Sequence, residues 1–265
     1  MAKRPTNGKG TDRTTKSAKQ AASMFSSLKA KQFQIQMISH AEAILRHDMG
    51  SAANEIETVL ANLTIPVEEL VRGGGGEAQA TQRIRRAFAE RGWSGHNFEI
   101  QRIIDGVEKE CISHAIDHVK RFCDYTFALE IEWNNKDPFF DRDLENFKRL
   151  HADGAISVGC IITRSESLHE GLEGLIEGFA VSKNIGTVEQ LLEYYEPTRR
   201  QREKIASQVR RFDSFPKGWS AAFVADKFGE ATTHWRKLQD RVQRGVGNPC
   251  PLLLIGIPVE VVTSS

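Results

Sequence analysis

No apolar run in this 265-residue chain approaches the ~20 residues needed to cross a bilayer. The most apolar stretch, Leu252 to Ile257, has the length of one buried strand. A membrane-spanning class is therefore not expected. The N-terminus is polar and basic and lacks an apolar h-region, so export is not expected either. Cysteine is sparse. Cys111, Cys123, Cys160 and Cys250 form no CxxC pair and no zinc pattern. That argues against a disulfide-stapled or zinc-built fold. It predicts reduced, mostly buried thiols in a cytoplasmic protein. No internal repeat is present. An excess of one charge is missing too: 36 Lys and Arg face 35 Asp and Glu, for a net charge of +1. The net charge alone points to no partner.

What is present is unevenly distributed charge. Residues 1–20 carry Lys3, Arg4, Lys9, Arg13, Lys16 and Lys19 against a single acid, Asp12, with no apolar periodicity. This segment reads as a disordered basic tail. A second basic run holds Arg199, Arg200, Arg202 and Lys204, then Arg210 and Arg211. Between the two lies a compact acidic cluster. Acids that hold a cation beside bases that hold phosphate suit an enzyme acting on a polyanion. The length favours one domain, 21–265, with a helical part over 21–95, a catalytic core over 96–165 and a recognition part over 166–265.

The expected elements are as follows. Ala21 to about Leu63 reads as helical, with Phe33, Ile35, Met37, Ile38, Ala41, Ile44 and Leu45 at roughly helical spacing. Ser51 is placed as the N-cap of a second helix there. Gly73-Gly74-Gly75-Gly76 breaks the chain ahead of a helix over Gln79 to Arg91. Strands are expected over Phe98 to Ile104, Ala115 to Phe122, Tyr125 to Trp133 and Ala155 to Thr163. A helix over Asp141 to His151 would cross between the last two, making a βαβ unit. Further helices are expected over Val188–Tyr195, Arg200–Val209 and Glu230–Arg244, and a last strand over Pro251 to Val262. The fold class is α/β, a central mixed β-sheet flanked by helices.

The acids carry the chemistry. Ala128-Leu129-Glu130-Ile131-Glu132-Trp133 alternates, so Glu130 and Glu132 share one strand face. A hairpin from 115 to 133 would bring Asp117 to that face. Hydrolysis of a phosphodiester needs an in-line water and neutralised charge on the phosphate. Oxygen ligands holding Mg²⁺ supply both. Asp117 and Glu130 are expected as metal ligands. Glu132 is expected to orient water, act as general base or bind a second ion. Spacing alone favours a solvated Asp117 on its strand and an exposed polar face for the two glutamates.

The next segment distinguishes these. Glu130-Ile131-Glu132-Trp133-Asn134-Asn135-Lys136-Asp137-Pro138-Phe139-Phe140-Asp141-Arg142-Asp143-Leu144 resembles the catalytic stretch of restriction endonucleases of the BglII and BamHI group. Ile116-Asp117-His118-Val119-Lys120, the run Gly73-Gly74-Gly75-Gly76 with the helix after it ending near Gly92-Trp93, and Thr232-Thr233-His234-Trp235-Arg236-Lys237-Leu238 followed by Gly247-Asn248-Pro249-Cys250-Pro251-Leu252 agree in order. The resemblance covers roughly residues 35 to 258. It implies a restriction-endonuclease-like core, a homodimer, Mg²⁺, and double-strand cleavage at a short palindrome, centred on GATC in relatives. It implies Asp117 and Glu130 as ligands, with Glu132 as a third catalytic and metal-binding residue. The third position is Gln in some members and Glu in others. An upstream residue near the metal is also implied, for which Glu77 is the weak candidate beside its reading as a loop acid. A companion DNA methyltransferase is implied as host protection.

Several residues suit contact with double-stranded DNA. Asn134 and Asn135 follow the catalytic strand, and Asn pairs bidentately with adenine, though an Asn pair also makes a turn. Lys136 could meet a phosphate. Lys183 and Asn184 are read as part of a polar loop beginning at Ser182. Thr232, Thr233 and His234 are read as opening a helix, where capping and base or phosphate contact are both open. His234 has no histidine partner at ligand spacing and is not read as a metal ligand. The rival readings are a catalytically inactive DNA-binding protein of the same fold and a nuclease selective for DNA structure.

Overall fold

The computed structural model describes residues 24–72 and 77–264. The basic tail 1–20, Gly73–Gly76 and the Cys111 side chain lie outside the described residues. The chain opens with α1 (Ser26–Ala30), β1 (Gln34–Ile38), α2 (Ala41–His47) and α3 (Gly50–Ala61). The expected continuous helical front is therefore interrupted by a strand. Gln34-Ile35-Gln36-Met37 alternates, and pairing places Ile35 opposite Ile255 and Met37 opposite Leu253. Five residues cannot sustain a helix alone, whereas the apolar neighbouring strand satisfies their backbone groups. Ser39 and His40 then take φ of 50° and 67° to turn the chain into α2. The N-cap of α3 is Met49, two residues before Ser51.

β2 (Ile65–Pro66), α4 (Val67–Val71) and α5 (Gln79–Ala89) follow. Then come the hairpin β3 (Ser94–Ile104) and β4 (Val107–Phe122), β5 (Tyr125–Glu132), α6 (Phe139–Ala152) and β6 (Val158–Arg164). β5 and β6 pair in parallel across α6, the expected βαβ unit. The remainder is α7 (Glu166–Ser182), α8 (Val188–Leu191), α9 (Arg199–Phe212), α10 (Phe215–Lys227), α11 (Trp235–Gln243), β7 (Leu252–Ile257) and β8 (Val262–Thr263). Six strands form a mixed sheet in the order β1-β7-β6-β5-β4-β3. β2 and β8 pair separately. The large sheet draws strands from all three expected segments of the chain.

Helices α4, α7 and α10 have no counterpart in the pattern reading, and for the last two the sequence shows why. α7 contains Gly171, Gly174 and Gly178, which read as breakers at about 1 kcal/mol each relative to Ala. α10 begins Phe215-Pro216-Lys217-Gly218, and its Pro sits in the first turn, where no N–H is needed. Boundaries move as well: β3 opens at Ser94 rather than Phe98, and β4 at Val107 rather than Ala115. α8 stops at Leu191, α11 opens at Trp235 rather than Glu230, and β7 stops before Pro258, which cannot donate to a ladder.

The sheet is covered on both faces. On one, Phe127, Leu129, Ile131, Leu253 and Ile255 pack with the N-terminal helices, α7 and α10. On the other, Ala128, Ile161, Leu252 and Leu254 pack with Phe140, Leu144, Phe147 and Leu150 of α6 and with Trp235 and Leu238 at α11. Every residue of β6 and β7 is buried, as strands covered on both faces must be. Gly159 lets α6 lie close to the sheet. A Cβ there would sit 2.6 Å from Phe147 Cδ2 and 2.9 Å from Leu252 Cδ2. Gly159→Ala is expected to destabilise the fold by about 1–3 kcal/mol through overpacking. A urea midpoint unchanged from the parent would contradict this.

Candidate active site

β4 carries an irregularity beside the acidic cluster. Against β3 the register passes from Ser94↔Val119 to His96↔Ile116, so two steps on β3 match three on β4. The extra residue is a bulge at Asp117 and His118, a feature that re-aims side chains. Pairing of β4 with β5 ends at His118↔Leu129. Just beyond it, the Asp117 N–H donates to Glu130 Oε1 at 3.3 Å. Asp117 is exposed and lines an open cleft of about 640 Å³. Glu130 and Glu132 are only 3% and 2% exposed. They share a face of β5, opposite Ile161 and Thr163 of β6.

A fourth acid lies against them. Asp143 of α6 is 0% exposed. Arg142 donates to its Oδ1 from Nε at 2.8 Å and from Nη2 at 2.7 Å. The same Nη2 lies 3.6 Å from Glu132 Oε1. Asn135 Nδ2 donates to Glu132 Oε2 at 2.7 Å. Asp143 Oδ2 is buried without a donor, and the Glu132 carboxyl lies within proton-sharing reach of Asp143. Pattern reading assigned Asp143 no role. A signal was available: Phe140, Leu144, Phe147 and Leu150 form the apolar stripe of α6, and Asp143 stands on that stripe. An acid at a core position is rare unless it is paired or functional.

Crowding and burial set the electrostatics. Burial, then Asp143 and Asp117, push Glu130 up to about 9. Burial, then Asp143, push Glu132 up to about 8. Burial also raises Asp143. Beside Asp117, burial lowers His118 to about 4, so its ring is neutral at pH 7. An oxygen-only donor set starved of countercharge fits a hard divalent cation. The linkage has a definite sign. The folded pKa values of Glu130 and Glu132 lie above the ordinary 4.5. The metal-free folded state therefore holds more protons than the unfolded state from about pH 5 to 9, and its stability falls as pH rises through that window. We expect the melting temperature in chelator to drop across this range and Glu130→Gln to flatten the drop. A parent protein whose melting temperature is level over the window would refute the assignment.

The other expected contact residues are placed as follows. Asn134 and Asn135 line the same cleft as Asp117, as does Glu77, which is paired with Arg85 at 3.0 Å. Lys136 is exposed and bridges to Thr232. Thr233 and His234 are buried. Their side chains do not face a groove, and α11 begins only after them. The Thr233 hydroxyl instead accepts from the Asn135 N–H at 3.0 Å, and its own N–H donates to Asn135 O. Thr233 thereby holds the loop after β5 in place. Lys183 caps the end of α7, with Asn184 beside it at φ 54°. Neither is a cleft residue, nor are Arg199, Arg200 and Arg202 on α9. Arg72, Arg85 and Lys227 do line it. They come from three separate elements, so no charge run announces them. Cys123 is exposed, while Cys160 and Cys250 are buried free thiols. Among the described residues no helix is long and apolar enough to cross a membrane.

Comparison with known proteins agrees with this geometry. No curated protein matches the chain. The family described as "Restriction endonuclease BglII/BglIII" matches over residues 33–257, nearly the whole chain, including every acid of the cluster. The six-strand mixed sheet flanked by helices is the fold that such a match requires. The chain therefore belongs to the BglII/BglIII restriction endonuclease family and is a type II site-specific deoxyribonuclease.

Proposed function

We propose that the protein makes Mg²⁺-dependent double-strand cuts at a short palindrome through Asp117, Glu130 and Glu132. The observation that carries this is the Asp117 N–H bond to Glu130 Oε1 at the bulge, which joins the exposed acid to the buried pair. Asp117 presents its carboxylate at the cleft with Glu130 buried behind it, and Glu77 lies on the same wall as Asp117. When bound, Mg²⁺ would neutralise developing charge on the phosphate and lower the pKa of the attacking water. Glu132, held by Asn135 and Arg142, orients that water and accepts its proton. Asn134 and Asn135 read base edges and Lys136 meets a phosphate. Thr232, whose side chain is half-buried at the loop, stands beside them. Lys183 and Asn184 add contacts farther out.

Cutting both strands of a palindrome calls for two sites related by symmetry, hence a homodimer. The protein acts in the cytoplasm alongside a DNA methyltransferase that protects the host site. A GATC centre is the first site to test. The experiment is digestion of unmethylated phage DNA with and without Mg²⁺, followed by sequencing of the fragment ends. Discrete Mg²⁺-dependent fragments are expected. A smear would move the reading to a structure-selective nuclease, and intact DNA with Mg²⁺ and with Mn²⁺ to a protein that only binds.

A further inference from the structure

A second group of potential ligands lies away from the acidic cluster, where α7 meets the loop between α10 and α11. His169, Glu230 and His234 each offer one atom, and these atoms all lie within 4.8 Å of one another. His169 Nε2 is 3.4 Å from Glu230 Oε1, and His234 Nε2 is 3.7 Å from Glu230 Oε2. Both imidazoles thus face one carboxylate, one to each oxygen. For a tetrahedral ion with bonds of about 2.0–2.1 Å, neighbouring ligand atoms stand about 3.3 Å apart. The observed spacings are close to that edge length and long for hydrogen bonds.

The second observation is the state of His234. Its side chain is 1% exposed, yet neither Nδ1 nor Nε2 has a hydrogen-bond partner. His169 Nδ1 is unpartnered as well. Buried ring nitrogens left unsatisfied cost free energy unless something binds them. Glu230 is 71% exposed, so an ion could enter from solvent.

We propose that His169, Glu230 and His234 form a cation site separate from the active-site acids, taking a borderline ion such as Zn²⁺ in preference to Mg²⁺. Two imidazoles and one carboxylate suit zinc, with a position left for water. Mg²⁺ prefers six oxygens and finds one donor group of that kind here. The surroundings sharpen the choice. Arg164 and Arg236 bring positive charge close, and Glu166 partly offsets Arg236. A cation there must gain its affinity from nitrogen donation rather than from net charge. The two rings are stacked, with centroids 4.0 Å apart and planes 5° apart. Parallel rings cannot both aim a lone pair at one ion, so one ring turns about its Cβ–Cγ bond on binding. Pattern reading dismissed His234 because no histidine stands near it in sequence. The fold supplies His169 from α7.

An ion held here would fasten α7 to the loop bearing Thr232 and Thr233, which backs the strand end at Asn135. The test is equilibrium dialysis with Zn²⁺ in excess Mg²⁺, on protein carrying Asp117→Asn and Glu130→Gln to disable the acidic site. Co²⁺ serves as a spectroscopic probe. One Zn²⁺ per chain is expected, with strong visible Co²⁺ bands of low coordination number. His169→Gln and Glu230→Gln, both reachable from solvent, should each weaken binding by about tenfold or more. Thermal melts without metal check that these variants fold. Absence of bound Zn²⁺ in the disabled protein would overturn the site. So would undiminished affinity in both the His169→Gln and Glu230→Gln versions.

Discussion

Asp117→Ala or Glu130→Ala is expected to lower cleavage by about 10³-fold or more while leaving DNA binding intact. In the proposed mechanism each carboxylate is a metal ligand, worth several kcal/mol of transition-state charge stabilisation, and each 1.36 kcal/mol is about tenfold in rate. Binding should survive because the rest of the cleft, including Arg72, Arg85 and Asn135, is untouched. For Asp117→Ala it should even tighten, since an exposed carboxylate facing phosphate is removed. Glu130→Ala carries a second signature. It deletes an acid that burial raises to about 9, so the metal-free protein should lose part of its pH-dependent melting. Glu132→Gln keeps the side chain's place beside Asn135 and Arg142 but removes the proton acceptor, so cleavage that survives it would match the family members with Gln there and remove Glu132 as the base. Cleavage rates under single-turnover conditions, beside gel-shift affinities in Ca²⁺, separate chemistry from binding. Wild-type cleavage by either alanine variant would remove that residue from the site.

Arg164→Met should be the most damaging substitution outside the acids, at about 3–5 kcal/mol of stability. Arg164 ends β6 and is fully buried. Its Nε donates to Trp133 O at 3.0 Å, and its Nη2 donates to Thr232 Oγ1 at 2.7 Å and Thr233 O at 2.8 Å. The guanidinium also lies 5.2 Å from the Phe228 ring. Burial brings its pKa down to about 9, and it remains charged at pH 7. One side chain thus joins the end of the catalytic strand to the loop that backs Asn135. Removing it leaves two buried carbonyls without these donors, at about 1–3 kcal/mol each. Against a typical total of about 5–15 kcal/mol, that is a large fraction. Arg164→Lys should rescue little, because a point ammonium cannot match acceptors spread around a planar fork. Denaturant midpoints decide it. A Met variant within about 0.5 kcal/mol of the parent would show that the loop is held by its backbone pairing alone.

How much of this was legible in the chain differs by element. The alternation of Glu130-Ile131-Glu132 displayed the paired acids, because strand periodicity is a local property. The βαβ unit around α6 was legible for the same reason, its apolar stripe and the following apolar strand being contiguous in sequence. β1 was not legible as a strand, since five alternating residues become one only beside β7 from the far end of the chain. α7 and α10 were hidden by glycine and proline that tertiary contacts tolerate. Asp143 was visible as a letter but not as a partner, because its meaning depends on α6 lying against β5.

By itself, the sequence determined the mixed α/β class, the shared strand face of Glu130 and Glu132, and the family resemblance that the matching family bears out. Only the tertiary structure decided which side chains share the site. The bulge that turns Asp117 toward Glu130, the Asp143 and Arg142 pair that braces Glu132, and the inward turn of Thr233 and His234 are all long-range outcomes. The physical reason is one of range. Backbone periodicity is written in neighbouring residues, whereas burial, pKa and ligand convergence depend on atoms that come together only when the chain has packed.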